Sequence, residues 1–145
     1  MMEKLLISAC LVGEKVTYKG TDNFTPKVKE LQEKYDLVLF CPEVEGGLKV
    51  PRMPSEIVHQ QVIRKDGKDV TREYELGANK AVMLCKYLGI TKAVLKEKSP
   101  ACGTHLIHDG TFSDKKIPGM GVATRKLTQA GIRVFSEDEL DKLLQ

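Results

Sequence analysis

Residues 37–42, Leu37-Val38-Leu39-Phe40-Cys41-Pro42, are the stretch that decides the fold. Four consecutive apolar residues without polar alternation are typical of a strand buried on both faces, as in parallel sheets. A second short run, residues 4–9, ends at Cys10 and is followed by Gly13, as expected where a strand enters a loop. The sequence therefore predicts two buried strands, each followed by a cysteine.

Helical patterns alternate with the predicted strands. Thr25-Pro26 supplies a capping residue and a proline for the first turn of a helix of about ten residues. After Asp69-Val70-Thr71, apolar residues recur at spacings of three and four up to Leu88, which predicts a long amphipathic helix. The remaining predictions are strands at 58–64, 92–95 and 132–135, a small hairpin within 106–112, a helix at 122–130, a terminal helix opened by a capping box at 136–139, and an irregular loop at 42–55. This alternation predicts one domain, residues 1–145, folded as an α/β sandwich with a mainly parallel, Rossmann-like sheet flanked by helices.

Composition excludes several classes of protein. With 41% hydrophobic and 30% charged residues among 145, the chain is neither disordered nor fibrous. No apolar run approaches the roughly 20 residues of a membrane span, and the apolar start is too short for a signal peptide, so we expect a cytoplasmic protein without membrane contact. A net charge of +3 from scattered basic residues gives no strong nucleic-acid signal.

The four cysteines fall into two groups. Cys10, Cys41 and Cys102 each follow the carboxyl end of a predicted strand, and such ends share one edge of a parallel sheet. Cys85 lies on the apolar stripe of a predicted helix and is expected in the core. Three converging thiolates suit an iron–sulfur cluster with one open iron, whereas a structural zinc site usually has four ligands, often in close pairs that are absent from this sequence. Spacing alone also allows that these cysteines never meet.

The residues around these cysteines form several unusual motifs in a fixed order, over nearly the whole chain. In this sequence they are Ser8-Ala9-Cys10-Leu11, Cys41-Pro42-Glu43, Gly46-Gly47-Leu48, Pro51-Arg52, Asp69-Val70-Thr71, Gly77-Ala78, Ser99-Pro100-Ala101-Cys102-Gly103, Asp109-Gly110-Thr111-Phe112 and Gly119-Met120-Gly121. In these motifs the chain resembles the thiouracil desulfidase family. The resemblance implies a 4Fe-4S enzyme that replaces C=S by C=O in a thiolated pyrimidine such as 2-thiouracil and releases hydrogen sulfide.

The resemblance also implies roles for particular residues. The three cluster ligands correspond to Cys10, Cys41 and Cys102, and a catalytic acid/base glutamate corresponds to Glu45. A functional serine of the family corresponds to Ala101, so this chain lacks that hydroxyl, and we expect impaired activity if the hydroxyl is needed.

Other residues and functions stay open at this level. Ser99 and Glu43 are candidates for substrate binding, while His59, His105 and His108 could transfer protons but are more typical of surface or hairpin positions. One alternative function is an iron–sulfur enzyme that transfers sulfur to a nucleobase or tRNA; another is a non-enzymatic zinc-binding module. Nothing in the sequence indicates the oligomeric state.

Overall fold

The protein is described by a computed structural model that covers residues 2–145. In chain order the elements are β1 (Glu3–Ser8), a 3-10 turn (Ala9–Val12), α1 (Val28–Lys34), β2 (Tyr35–Phe40), α2 (Pro42–Glu45), β3 (Ser55–Val58), β4 (Gln61–Arg64), α3 (Thr71–Leu88), β5 (Lys92–Leu95), β6 (Leu106–His108), β7 (Lys116–Pro118), α4 (Val122–Gln129), β8 (Arg133–Ser136), a second 3-10 turn (Glu137–Glu139) and α5 (Asp141–Leu144). Four of the strands form a parallel sheet in the order β2-β1-β5-β8.

Both faces of this sheet are covered, which confirms the predicted α/β sandwich. Leu6 of β1 belongs to a core that includes the buried side of α3 and α4. Its neighbours Leu5 and Ile7 point to the opposite core, which α1 and α5 close. Successive side chains of a strand alternate between its faces, so a continuous apolar run is required wherever both faces are dry.

The two antiparallel hairpins differ from the sequence prediction. The stretch predicted as one strand at 58–64 is part of a hairpin in which β3 pairs with β4. Its turn is formed by His59 and Gln60, both with positive φ, a conformation that the sequence usually marks with Asn or Gly. The hairpin predicted within 106–112 is also wrong, because β6 pairs with β7 across a longer loop.

A single turn of helix, α2, occupies the start of the loop that was predicted to be irregular. It packs backbone to backbone against α3: a Cβ on Gly77 would lie 1.8 Å from the carbonyl oxygen of Pro42, and one on Gly46 would lie 2.0 Å from that of Glu73. Only glycine permits this approach at either position. The two glycines therefore fix where α2 and its side chains lie.

Near the C-terminus, the capping box formed by Ser136 and Glu139 is confirmed, although it opens the second 3-10 turn before α5 begins. Over residues 2–145, every helix is too short or too polar to cross a lipid bilayer.

Candidate active site

Three cysteines follow three neighbouring strands of the parallel sheet. Cys10 lies in the 3-10 turn after β1, Cys41 directly follows β2, and Cys102 lies in the loop that follows β5. Since β1 lies between β2 and β5, the three segments leave the sheet side by side at its carboxyl edge. The topology thus brings together residues that are separated by 30 and 60 intervening positions.

One cavity of about 500 Å³ opens at this edge, and all three cysteines line it. The fourth cysteine, Cys85, does not; it is 1% exposed on α3 and packs in the core, as predicted. All four are free thiols. The structure therefore separates three site cysteines from one core cysteine.

The pKa of each site thiol is raised, and at Cys10 and Cys102 the causes include the charge of another site cysteine. Burial is the main cause for all three, and it raises the pKa of Cys102 well above its ordinary value. A charge on Cys41 further raises the pKa of both Cys10 and Cys102. At Cys41 itself, burial is partly offset by the backbone N–H groups of Val44 and Glu43, which lower the pKa. One charge shifts a neighbour's pKa only over a short distance, so this influence agrees with the cavity that the three cysteines line.

The donor set fits a cofactor larger than a single ion. Among residues 2–145, no three Cys, His, Asp or Glu side chains are close enough to bind one metal ion. Thiolates on one tetrahedral zinc lie about 3.8 Å apart, given a Zn–S distance of about 2.3 Å. A cubane iron–sulfur cluster instead takes each thiolate on a different iron and needs a wider set of soft ligands. Three thiols around a cavity of about 500 Å³, with Cys102 buried and Cys10 and Cys41 half-buried, fit that requirement.

Glu43 projects from α2 into the same cavity. Its Oε1 accepts a hydrogen bond from Tyr74 Oη at 2.8 Å and one from Arg52 Nε at 3.2 Å. Its Oε2 accepts a longer bond of 3.3 Å from the hydroxyl of Ser99. The side chains of both members of the Arg52–Glu43 ion pair are largely buried, at 9% and 15% exposure. Glu43 is thus a fixed carboxylate held by side chains alone.

The loop that carries Cys102 is anchored by its neighbours on both sides. Ser99 Oγ accepts hydrogen bonds from the backbone N–H groups of Ala101 and Cys102, both at 3.1 Å. The carbonyl of Ala101 accepts from the N–H of Ala123 at 2.9 Å, in the first turn of α4. Gly121 lies so close that a Cβ there would be 2.5 Å from the Ala101 carbonyl. These contacts hold the third cysteine in a defined position.

Two further carboxylates border the cavity and shape its walls. Glu97 Oε1 accepts from the N–H groups of Thr104, His105 and Leu106 at 2.8–3.0 Å. Glu56 is 7% exposed, and its Oε1 accepts from the backbone N–H groups of two residues in the loop after β6. Sequence reasoning missed both residues, and it also missed the roles of Arg52 and Tyr74. For Glu97 the available signal was a lone acidic residue just beyond a buried strand, which is too common to single out.

The structure places the predicted acid/base residue elsewhere. The side chain of Glu45 is exposed at the end of α2, and the residue does not line the cavity; its backbone carbonyl accepts a hydrogen bond from Lys80. Ala101 is 1% exposed and does not line the cavity either. Of the predicted site residues, the structure therefore brings together the three cysteines, Glu43 and Ser99.

The three histidines have different surroundings. His59 is exposed in the β3–β4 turn, and His105 pairs through Nε2 with Glu139 at 2.7 Å on the surface. His108 lines the cavity, unlike the other two.

Comparison with known proteins gives one consistent result. Residues 5–139 match the family described as 2-thiouracil desulfurase. The chain is 39% identical over 150 residues to the uncharacterized protein YbbK of Bacillus subtilis (strain 168), covering 97% of this chain and 99% of that one. It is also similar to the solved structure of the 4Fe-4S-dependent thiouracil desulfidase TudS, with 42% identity, a TM-score of 0.93, and coverage of 97% of this chain and 95% of that one.

Proposed function

The chain belongs to the 2-thiouracil desulfurase family, and from that premise we propose that it is a 4Fe-4S enzyme that hydrolyses the C=S group of a thiolated pyrimidine such as 2-thiouracil. Water supplies the oxygen of the new C=O group, the sulfur leaves as hydrogen sulfide, and no electron is gained or lost. The observation that carries the proposal is the convergence of three free thiols and one fixed carboxylate on a single cavity.

In this proposal Cys10, Cys41 and Cys102 hold the cluster. With three thiolate ligands, a 4Fe-4S cluster would keep one iron open and would supply Lewis acidity toward the soft sulfur of the substrate. Burial raises the pKa of all three thiols, so the free thiols hold their protons, and each releases its proton on becoming a ligand.

Glu43 is the proposed acid/base residue. Arg52 and Tyr74 both bind Oε1 and fix the orientation of the carboxylate, whereas Oε2 has only the 3.3 Å contact with Ser99. The less engaged Oε2 is the oxygen that takes a proton from the attacking water and later returns one to the leaving sulfur. This places on Glu43 the role that the family resemblance assigned to Glu45, whose exposed side chain has no contact with the cavity.

Ser99 is a positioning residue in this scheme. Its hydroxyl donates to Glu43 and accepts from the backbone N–H groups of Ala101 and Cys102. It therefore links the carboxylate to the loop that carries Cys102. Ala101 occupies the position of the family serine. Its carbonyl accepts a hydrogen bond from α4, and its methyl group is buried. We therefore expect Ala101→Ser to change turnover less than loss of Glu43 does.

The first test is made on anaerobically reconstituted protein. We expect about four iron and four sulfide per chain, followed by hydrogen sulfide release when 2-thiouracil is added. Cys102→Ala should lose the cluster, while the matched variant Cys85→Ala should keep it, because Cys85 lies in the core away from the cavity. Bound zinc without hydrogen sulfide release would contradict the proposal and favour a zinc-binding module.

A further inference from the structure

His108 is a half-buried residue of the cavity wall that the reaction scheme does not use. Its Nδ1 is inaccessible to solvent and has no hydrogen-bond partner among the described residues. Buried side-chain nitrogens are rarely left unpaired, and the exceptions are concentrated where a ligand or a function accounts for them. The residue nevertheless lines the cavity that holds the three thiols.

The backbone around His108 is held firmly. It ends β6, where it is paired with Lys116 of β7. The loop after this strand is bound by Glu56, which accepts the N–H groups of Gly110 and Phe112 at 3.0 and 3.1 Å. A Cβ on Gly110 would lie 2.8 Å from the carbonyl oxygen of Ile57, so this loop rests directly on the β3–β4 hairpin. The backbone of His108 therefore holds the Cβ of the side chain at one place in the cavity wall.

The burial of Nδ1 selects one form of the ring. A neutral imidazole carries its proton on one nitrogen and leaves the other as an acceptor. A buried N–H without an acceptor is unfavourable, and no carbonyl or carboxylate of residues 2–145 is within bonding distance of Nδ1. The form with the proton on Nε2 avoids that cost. Because Nδ1 is inaccessible to solvent and the residue lines the cavity, Nε2 is the ring nitrogen left to bind a ligand there.

We propose that His108 is a specificity-determining residue whose Nε2–H donates a hydrogen bond to the ring carbonyl oxygen that a thiouracil carries beside its C=S group. This inference rests on the proposed function, since it concerns how the same substrate is oriented. A fixed hydrogen-bond donor distinguishes a ring that has a carbonyl acceptor from one that lacks it, because the unmatched donor is left unpaired. Two cationic side chains of the wall are already paired with carboxylates: Arg52 with Glu43 and Lys96 with Glu137.

The test uses a product pair, so that binding is measured without turnover. Uracil and pyrimidin-2-one differ in the second ring carbonyl and in the ring nitrogen beside it, which carries a proton only in uracil; the part of the preference that is lost in a His108 variant therefore reports the carbonyl contact. By calorimetry on the cluster-loaded protein, we expect uracil to bind about tenfold more tightly, the equivalent of one neutral hydrogen bond. The variant His108→Phe should bind the two within about twofold. His108→Gln, whose amide nitrogen can take the place of Nε2, should recover part of the preference.

A spectroscopic measurement on the unmutated protein accompanies the binding test. With ¹⁵N-labelled histidine, the ring of His108 should show a proton on Nε2 and none on Nδ1, and the Nε2 signal should shift when uracil is added. The matched control is His59→Gln, which changes an exposed histidine of the β3–β4 turn and should leave the uracil preference intact. If His108→Phe fails to fold, the ring signals and the His108→Gln variant still decide the question.

The outcomes separate the role of His108 from the proposed function. A protein that releases hydrogen sulfide, while His108→Phe keeps the full preference for uracil, would overturn the role of His108 and leave the proposed function standing. A proton on Nδ1 would do the same. A reconstituted protein that neither binds uracil nor releases hydrogen sulfide from 2-thiouracil would overturn both.

Discussion

Two glutamates border the same cavity and are held in opposite ways. Glu97 accepts hydrogen bonds from four backbone N–H groups on Oε1 and from the Thr104 hydroxyl on Oε2. Glu43 accepts only from side chains, and one of its oxygens has a single long contact. Both residues are acidic, largely buried and next to the site cysteines in the fold.

The difference shows what each carboxylate can do. Burial alone would raise the pKa of Glu97, but the N–H groups of Leu106, His105 and Thr104, together with the Thr104 hydroxyl, lower it from 4.5 to about 2. A carboxylate bound in this way cannot exchange protons near neutral pH, so its role is to hold the loop after Cys102. Glu43 has an oxygen that remains available, and its partners fix its direction. Proximity to a site therefore does not by itself indicate a catalytic carboxylate.

The largest effect should come from removing the proton-accepting oxygen of Glu43. In Glu43→Gln, we expect hydrogen sulfide release from 2-thiouracil to fall by about 10²- to 10⁴-fold, as for loss of a general acid/base. Iron and sulfide content should stay at the wild-type level, because the three cysteines are unchanged. Unaltered turnover in a fully loaded variant would remove Glu43 from the reaction.

The corresponding change at Glu97 should affect stability first. Glu97→Gln replaces an acceptor of several backbone N–H groups, so we expect the free energy of unfolding to fall by about 3 kcal/mol at neutral pH, measured by urea denaturation. The folded-state pKa lies below its ordinary value, so the stabilisation is present above pH about 4.5 and is lost as the pH falls toward 2. The stability difference between wild type and variant should therefore shrink over that range. If the stability difference between wild type and variant stayed constant from pH 4.5 to 2, the charge of Glu97 would not be its cause.

A third substitution tests how Glu43 is placed rather than what it does. Gly77→Ala puts a methyl group 1.8 Å from the Pro42 carbonyl oxygen, so α2 must move away from α3. We expect a loss of about 2 kcal/mol in unfolding free energy from this overpacking, with reduced turnover because α2 carries Glu43. Gly67→Ala meets no atom within 4 Å but has a φ of +92°, so it lowers stability through backbone strain alone and should leave turnover unchanged. Equal effects of the two substitutions on turnover would argue against the close approach as the cause.

The smallest effect is expected at Glu45. Its side chain is exposed and outside the cavity. As for an ordinary surface substitution, Glu45→Gln should change turnover by less than about twofold and the free energy of unfolding by less than about 0.5 kcal/mol. Steady-state hydrogen sulfide release and urea denaturation measure the two quantities. A large loss of turnover here, with Glu43→Gln unaffected, would return the acid/base role to Glu45.

The sequence was sufficient for the sheet and for the convergence of the cysteines. Continuous apolar runs such as residues 37–40 predict parallel strands, and parallel strands bring the residues at their carboxyl ends to one edge. It was not sufficient to choose between Glu43 and Glu45. Once α2 is helical, two residues apart means about 200° around the axis, so the two carboxylates face opposite ways. The sequence predicts an irregular stretch from Pro42 onward, so it does not predict the directions of these two side chains.

Other misses have a similarly local cause. The turn at His59 and Gln60 adopts positive φ without Gly or Asn, because the paired strands β3 and β4 impose it. The bonds to Glu97 come from backbone N–H groups, and a sequence does not reveal which N–H groups will lack a strand partner.

The wide separation of the three site cysteines along the chain has a consequence for biogenesis. Between these cysteines lie 30 and 60 residues. An unfolded chain that bound a cluster would lose the conformational entropy of closing two long loops. In the folded protein the sheet already holds these loops closed. During synthesis from the N-terminus, the last thiol becomes available only after β5 has emerged and joined β1. Cluster insertion should thus follow folding, so that a donor of iron and sulfur delivers them to a site in which the three cysteines already lie together.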